Sequence, residues 1–134
     1  MQGSNLRFTG EKGQAPGGQG RVGFILLEHF SLPAFTQALD TVVTANLIQA
    51  ASFTYRTFTL DGGSRVSDLG LVICPDAPLN AAALDDLDLL VVCGGLRTVL
   101  RPIPELNQIL HKAAEKHVAL GALWNGCLLY TSPS

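Results

Sequence analysis

The chain has 134 residues, 47% of them hydrophobic, and a formal net charge of −2 from nine Lys and Arg against eleven Asp and Glu, which suits one globular domain with an ordinary core. The basic residues are scattered rather than gathered into a stripe, so this stretch carries no electrostatic footprint for nucleic acid. Three cysteines without framework spacing, no N-terminal signal-type run and no apolar run of bilayer-spanning length point to a reduced, cytoplasmic setting with no membrane partner.

Residues 1–20 are rich in Gly and Gln and lack an apolar period, so they read as a flexible leader that cannot offset its ordering entropy. At its edge Gly18-Gln19-Gly20-Arg21-Val22-Gly23 spells G-x-G-x-x-G. The dinucleotide fingerprint follows a strand and opens a helix, whereas this copy precedes the strand, so no cofactor is expected. Val22 to Leu27 is a continuous apolar run of the length of a strand buried on both faces, and it ends at Glu28-His29-Phe30. Ser31 is placed to cap a following helix and Pro33 suits its first turn. Leu32, Phe35, Leu39, Val42, Val43 and Leu47 then recur at helical spacing to about Gln49.

Phe53 to Leu60 alternates apolar and polar residues and stops at Asp61-Gly62-Gly63, a strand followed by a turn. Ser64 to Leu79 is a short excursion, with strand character at Leu69, Leu71, Val72 and Ile73 broken by Pro75 and Pro78. Leu87 to Cys93 reads as a central strand running into Gly94-Gly95. Pro104-Glu105 opens a helix with Leu106, Ile109, Leu110, Ala113 and His117 on one face, and Val118 to Trp124 is a second central strand.

This order predicts an α/β fold, an open and mostly parallel sheet with helices on both faces. Right-handed crossovers bring the carboxyl ends of the strands together, and ligands of such sheets bind in the crevice there. The segments reaching that edge, Glu28-His29-Phe30, Gly94-Gly95-Leu96-Arg97 and Trp124-Asn125-Gly126, form the candidate ligand-binding site. Glu28 and His29 either contact a ligand or form a solvated loop pair. Gly94-Gly95 either brings N–H groups to an anion or permits a tight turn. Trp124 either stacks on a cationic ligand or fills core volume, and Asn125 offers its amide to a ligand or closes the turn. Cys74 and Cys93 end apolar runs and read as small buried hydrophobes, and His29, His111 and His117 lack a second ligand at metal spacing.

Taken together, Val22-Gly23-Phe24-Ile25-Leu26-Leu27 followed by Phe30-Ser31-Leu32, Leu60-Asp61-Gly62-Gly63, Pro75-Asp76-Ala77-Pro78, Asp88-Leu89-Leu90-Val91-Val92-Cys93-Gly94-Gly95 and Leu120-Gly121-Ala122-Leu123-Trp124-Asn125-Gly126 resemble a family. It is the N-terminal domain of GlxA-type regulators of the AraC class, in the ThiJ/PfpI branch of the class I glutamine amidotransferase-like, flavodoxin-like fold. The resemblance covers about residues 21–126. It implies a small-molecule-sensing domain that dimerises and meets DNA only through a C-terminal pair of helix-turn-helix motifs missing from this chain. Similar regulators serve amino-acid and quaternary-amine catabolism, which implies an effector of those classes. The enzymes of the branch carry G-x-x-C-x-G at the strand-to-helix elbow, where this sequence has Trp124 in place of Cys and Asn125 in place of the neighbouring His. No Asp or Glu lies between Glu28 and Asp40 to serve as the accompanying acid. A non-catalytic domain is therefore expected, and a stand-alone ThiJ/PfpI-like cysteine hydrolase or amidase is the alternative. Cys127-Leu128-Leu129-Tyr130-Thr131-Ser132-Pro133-Ser134 resembles the translation of a transposase sequencing adapter, so residues 127–134 are read as non-native and the sheet as incomplete at its C-terminus.

Overall fold

The computed structural model describes residues 19–49, 52–96 and 103–123. β1 (Gln19–Leu26), β2 (Ser52–Thr59), β5 (Ala77–Pro78), β6 (Leu89–Cys93) and β7 (Ala119–Leu123) build one five-stranded sheet in the order β5-β2-β1-β6-β7, and every pairing in it is parallel. The order reverses between β1 and β6, which places the topological switch point beside β1. β3 (Arg65–Val66) and β4 (Val72–Ile73) form a separate antiparallel hairpin. The excursion between β2 and β6 is thus this hairpin plus an edge strand, where Pro78 is tolerated because its missing N–H falls on the outer side of the sheet.

Period-two alternation divides the strand residues between two cores. Val22, Phe24, Leu26, Val91 and Cys93 pack with Phe30, Phe35 and Val42 beneath α1 (Leu32–Gln49). Ile25, Leu27, Leu90 and Val92 pack with Phe58, Leu84, Leu106, Leu110 and Ala113 beneath α2 (Ala81–Leu84) and α3 (Pro104–Glu115). Helices therefore cover both faces, as an all-parallel sheet requires. The short α2, which the sequence reading does not anticipate, is capped by Asn80, whose Oδ1 accepts from Ala83 N at 2.9 Å.

Several expectations are corrected. β1 begins at Gln19, so the supposed leader ends no later than residue 18, and Gly20 is buried in the strand. The G-x-G-x-x-G copy accordingly runs into a strand rather than a phosphate-binding turn, and Gly18 itself lies outside the described residues. In α1, Leu47 is exposed although its spacing places it with the core residues. The cause is Asn46, whose side chain pairs with the backbone of Phe53 at 2.8 and 2.9 Å, so the neighbouring position rotates outward. Cys74 is exposed, with its Sγ 3.2 Å from Ser64 Oγ. Cys93 is buried as expected, and burial alone pushes its thiol far above the ordinary range.

His117 does not close the apolar face of α3. It is exposed, lies beyond the helix and has φ 65°. Its N–H donates to Ala114 O and that of Val118 to Ala113 O, the paired bonds of a Schellman ending in which the left-handed position usually holds glycine. A β-carbon is disfavoured there, so H117G is expected to stabilise the domain by about 1 kcal/mol despite the added freedom of the unfolded chain. Urea denaturation reads this directly, and a loss of stability would show that the imidazole makes a contact that outweighs the strain.

At the amino end of the sheet Asp88 joins β1 to β6. Its carboxylate accepts from Arg21 N at 2.9 Å and from the guanidinium at 3.1 and 3.3 Å. Partial burial pushes the Asp88 carboxyl up, but the Arg21 hydrogen bonds and charge together outweigh it and hold the group below its usual range.

Candidate functional site

The carboxyl ends of β1, β6 and β7 are stitched by backbone bonds. Leu27 N donates to Cys93 O at 3.1 Å, Ser31 N to Gly94 O at 3.0 Å, and Gly94 N to Leu123 O at 3.3 Å. These bonds bring Glu28, His29, Phe30, Gly94 and Gly95 to one edge at the switch point, as the sequence predicts. Gly94 spends its N–H on Leu123, so that group is not offered to an anion. Gly95 is set by close approach, because a Cβ there would stand 2.7 Å from Ser31 N and 2.8 Å from His29 O. Trp124, Asn125, Gly126 and Arg97 lie outside the described residues, as do residues 127–134.

The turn from Glu28 to Ser31 is unusual in its backbone. His29 has φ 62°, and among the described residues only it and His117 combine a side chain with positive φ. A non-glycine residue in that region marks strain held by its surroundings. His29 N donates to Val66 O at 2.8 Å, and Asp68 N donates to Phe30 O at 2.8 Å. Phe30 is fully buried, its ring edge-on to Phe35 with centroids 5.8 Å apart. Of the three predicted residues in this turn, Phe30 thus supports the floor from the core, and only Glu28 and His29 have side chains open to solvent.

Arg65, which the sequence reading passes over, belongs to this edge. Its side chain is 18% exposed, with Nε 3.7 Å from Glu28 Oε1 and one terminal nitrogen 3.1 Å from Asp61 Oδ1. The other terminal nitrogen donates to Gly63 O and Ser64 O at 3.3 and 3.0 Å. The backbone N–H of Gly63, then the charge and hydrogen bond of Arg65, hold the Asp61 carboxyl below its ordinary range. Most of the guanidinium is thus committed to acceptors of the protein itself, the carboxylates of Glu28 and Asp61 among them. The one sequence signal of this cluster was the Asp61-Gly62-Gly63 turn closing a strand. Neither Arg65 nor Asp68 lies in a motif, because both arrive from the hairpin.

Among the described residues no group of three or more His, Cys, Asp or Glu is arranged to hold a metal ion, and no helix is long and apolar enough to cross a membrane.

No family model matches the chain. It is 30% identical over 106 residues to the HTH-type transcriptional regulator GbdR of Pseudomonas aeruginosa, a match covering 78% of this chain and 28% of that protein. The crystal structure of an AraC family transcriptional regulator from Pseudomonas putida superposes with a TM-score of 0.75 at 56% identity, over 81% of this chain and 57% of that one. The DJ-1 superfamily protein Atu0886 from Agrobacterium tumefaciens shares the fold, with a TM-score of 0.56 at 22% identity over 77% of this chain and 52% of that one. The chain thus spans less than a third of the length of GbdR and a little over half of the Pseudomonas putida chain. The parallel sheet of the order β5-β2-β1-β6-β7 and these likenesses converge on one conclusion: the chain has the fold of the DJ-1 superfamily proteins and is similar in sequence and structure to part of AraC-type transcriptional regulators.

Proposed function

We propose that the chain is a non-catalytic domain that senses a small molecule on behalf of an AraC-type regulator, with DNA bound by a helix-turn-helix domain outside this sequence. The observation that carries the reading is the Glu28–His29 turn, a strained and part-exposed segment at the switch-point edge of the sheet, beside the glycine-lined end of β6. The carboxylates of Glu28 and Asp61 at this edge suit a ligand that brings a cation, which agrees with an amino acid or a quaternary amine. Binding would act by favouring one of two arrangements of a homodimer or of the sensing and DNA-binding domains.

The alternative, a cysteine hydrolase or amidase, draws support from the enzymes that share the fold. A thiol nucleophile needs an activating, accessible setting. Cys93, the cysteine closest in sequence to Gly94-Gly95, is buried with its thiol pushed up, which speaks for the sensor. The elbow position, Trp124, belongs to the same proposal.

The test is amide-resolved NMR titration of the full chain with choline, glycine and the uncharged choline isostere 3,3-dimethylbutanol. Saturable shifts concentrated at Glu28, His29 and Gly95, with the cations preferred over the isostere, are expected at up to millimolar concentration. Shifts confined to another surface would overturn this edge as the effector site, and ester hydrolysis abolished by iodoacetamide would replace the sensor with the alternative.

A further inference from the structure

We infer that Asp68 is the positioning residue of this crevice, a latch by which the β3–β4 hairpin holds the Glu28–Ser31 turn in its binding geometry. The inference rests on the reading of that turn as the effector site.

An α-helix leaves its first N–H groups without intrahelical partners. Pro33 has none to satisfy, Ala34 N donates to Ser31 Oγ at 3.2 Å, and Phe35 N donates to Ser31 O at 3.0 Å. Leu32 N remains, and the first turn of α1 contains no acidic residue. Asp68, 36 residues away in the sequence, supplies the acceptor through Oδ1 at 3.0 Å. The carboxylate thereby also meets the positive end of the helix dipole. The same residue returns a second bond in the opposite sense, its N–H donating to Phe30 O at 2.8 Å. Asp68 therefore holds the stretch from Phe30 to Leu32 at both of its ends.

The latch is itself held. Ser67 is buried, its N–H donates to Leu71 O at 2.8 Å, and its Oγ accepts from Leu69 N and Leu71 N at 3.3 and 3.2 Å. Those bonds close the hairpin tip and fix the backbone from which Asp68 extends. With Val66 O accepting from His29 N and Asp68 two residues further on, the hairpin makes three hydrogen bonds to the stretch from His29 to Leu32. From the opposite side Ser31 N is bound to Gly94 O and the turn is pressed on Gly95. A left-handed His29 needs this enclosure, because a residue with a β-carbon would otherwise relax to negative φ. Losing the latch frees Glu28 and His29 together, so a ligand would have to order them again on binding.

The experiment compares D68A and D68N in the full chain. The asparagine keeps an oxygen acceptor for Leu32 N, whereas alanine removes it. In ligand-free protein D68A is expected to raise amide exchange at His29, Phe30 and Leu32 about tenfold, while Leu90 and Val92 in β6 exchange at the wild-type rate. The HN–Hα coupling of His29 should move away from its left-handed value in D68A and stay in place in D68N. Choline affinity should fall about tenfold in D68A and by less than about threefold in D68N. If D68A does not fold, D68S, whose hydroxyl is too short for Leu32 N, is read in the same way. Unchanged His29 coupling and exchange in D68A, or exchange raised equally in β6, would overturn the latch. If choline shifts nothing in the wild type, the effector reading for cations fails, while the His29 coupling still decides the role of Asp68.

Discussion

G95A is expected to lower the stability of the domain by about 3 kcal/mol and to distort the crevice even where the protein remains folded. The added Cβ would lie 2.7 Å from Ser31 N, 2.8 Å from His29 O and 3.1 Å from Phe30 C. All three are backbone atoms, which cannot turn aside as the tip of a flexible side chain can. Either the turn withdraws from β6 or the end of β6 withdraws from the turn. Both movements break the bond from Ser31 N to Gly94 O, and Ser31 is buried. A buried N–H left without an acceptor costs about 1–3 kcal/mol, on top of the steric displacement. Urea denaturation gives the magnitude, and the amide shifts of Glu28 and His29 report the local distortion. A variant within about 0.5 kcal/mol of the wild type would mean that the backbone approach at Gly95 is looser than the structure has it.

F30A is expected to cost about 3–5 kcal/mol, the range for deleting a fully buried aromatic ring. The ring of Phe30 is edge-on to Phe35, which is in turn edge-on to Phe24 with centroids 5.3 Å apart, so its removal leaves a cavity between β1 and the start of α1. A loss of this size is a large part of the stability of a small domain, and a markedly lowered urea midpoint is the expected reading. F30L, which keeps most of the volume, should cost about 1–2 kcal/mol and leave the choline response at Glu28 and His29 in place. Loss of that response in a well-folded F30L would instead return Phe30 to the set of ligand contacts.

The two predictions separate residues that look alike in the sequence. Glu28-His29-Phe30 is read there as one segment at a strand end, yet its members divide between solvent and core. Gly94-Gly95 is read as a pair, yet Gly94 is defined by two hydrogen bonds and Gly95 by the space it leaves empty. Direction along the chain can be inferred from apolar runs and turn residues, whereas the depth of each side chain depends on which neighbours arrive from elsewhere.

By itself the sequence determined the α/β class, α1 and α3, the strands β1, β2 and β6 and the edge at which their carboxyl ends meet, whereas β7, expected as a second central strand, is the last strand of the described sheet. These follow from local periodicity, Ser31 and Pro104 at helix starts, and glycines after strands, all of which act within a few residues. Only the tertiary structure decided the rest. The hairpin made from Arg65 to Ile73 is too short to show a period, and its roles at Glu28, His29 and Leu32 are contacts between residues distant in sequence. Leu47 turns outward because Asn46 finds a partner on β2, and His117 leaves the helical face because the chain reverses there in a left-handed residue. A hydrogen bond between residues far apart in the chain leaves no spacing to read, so the crevice was legible as a place and its positioning residues were not.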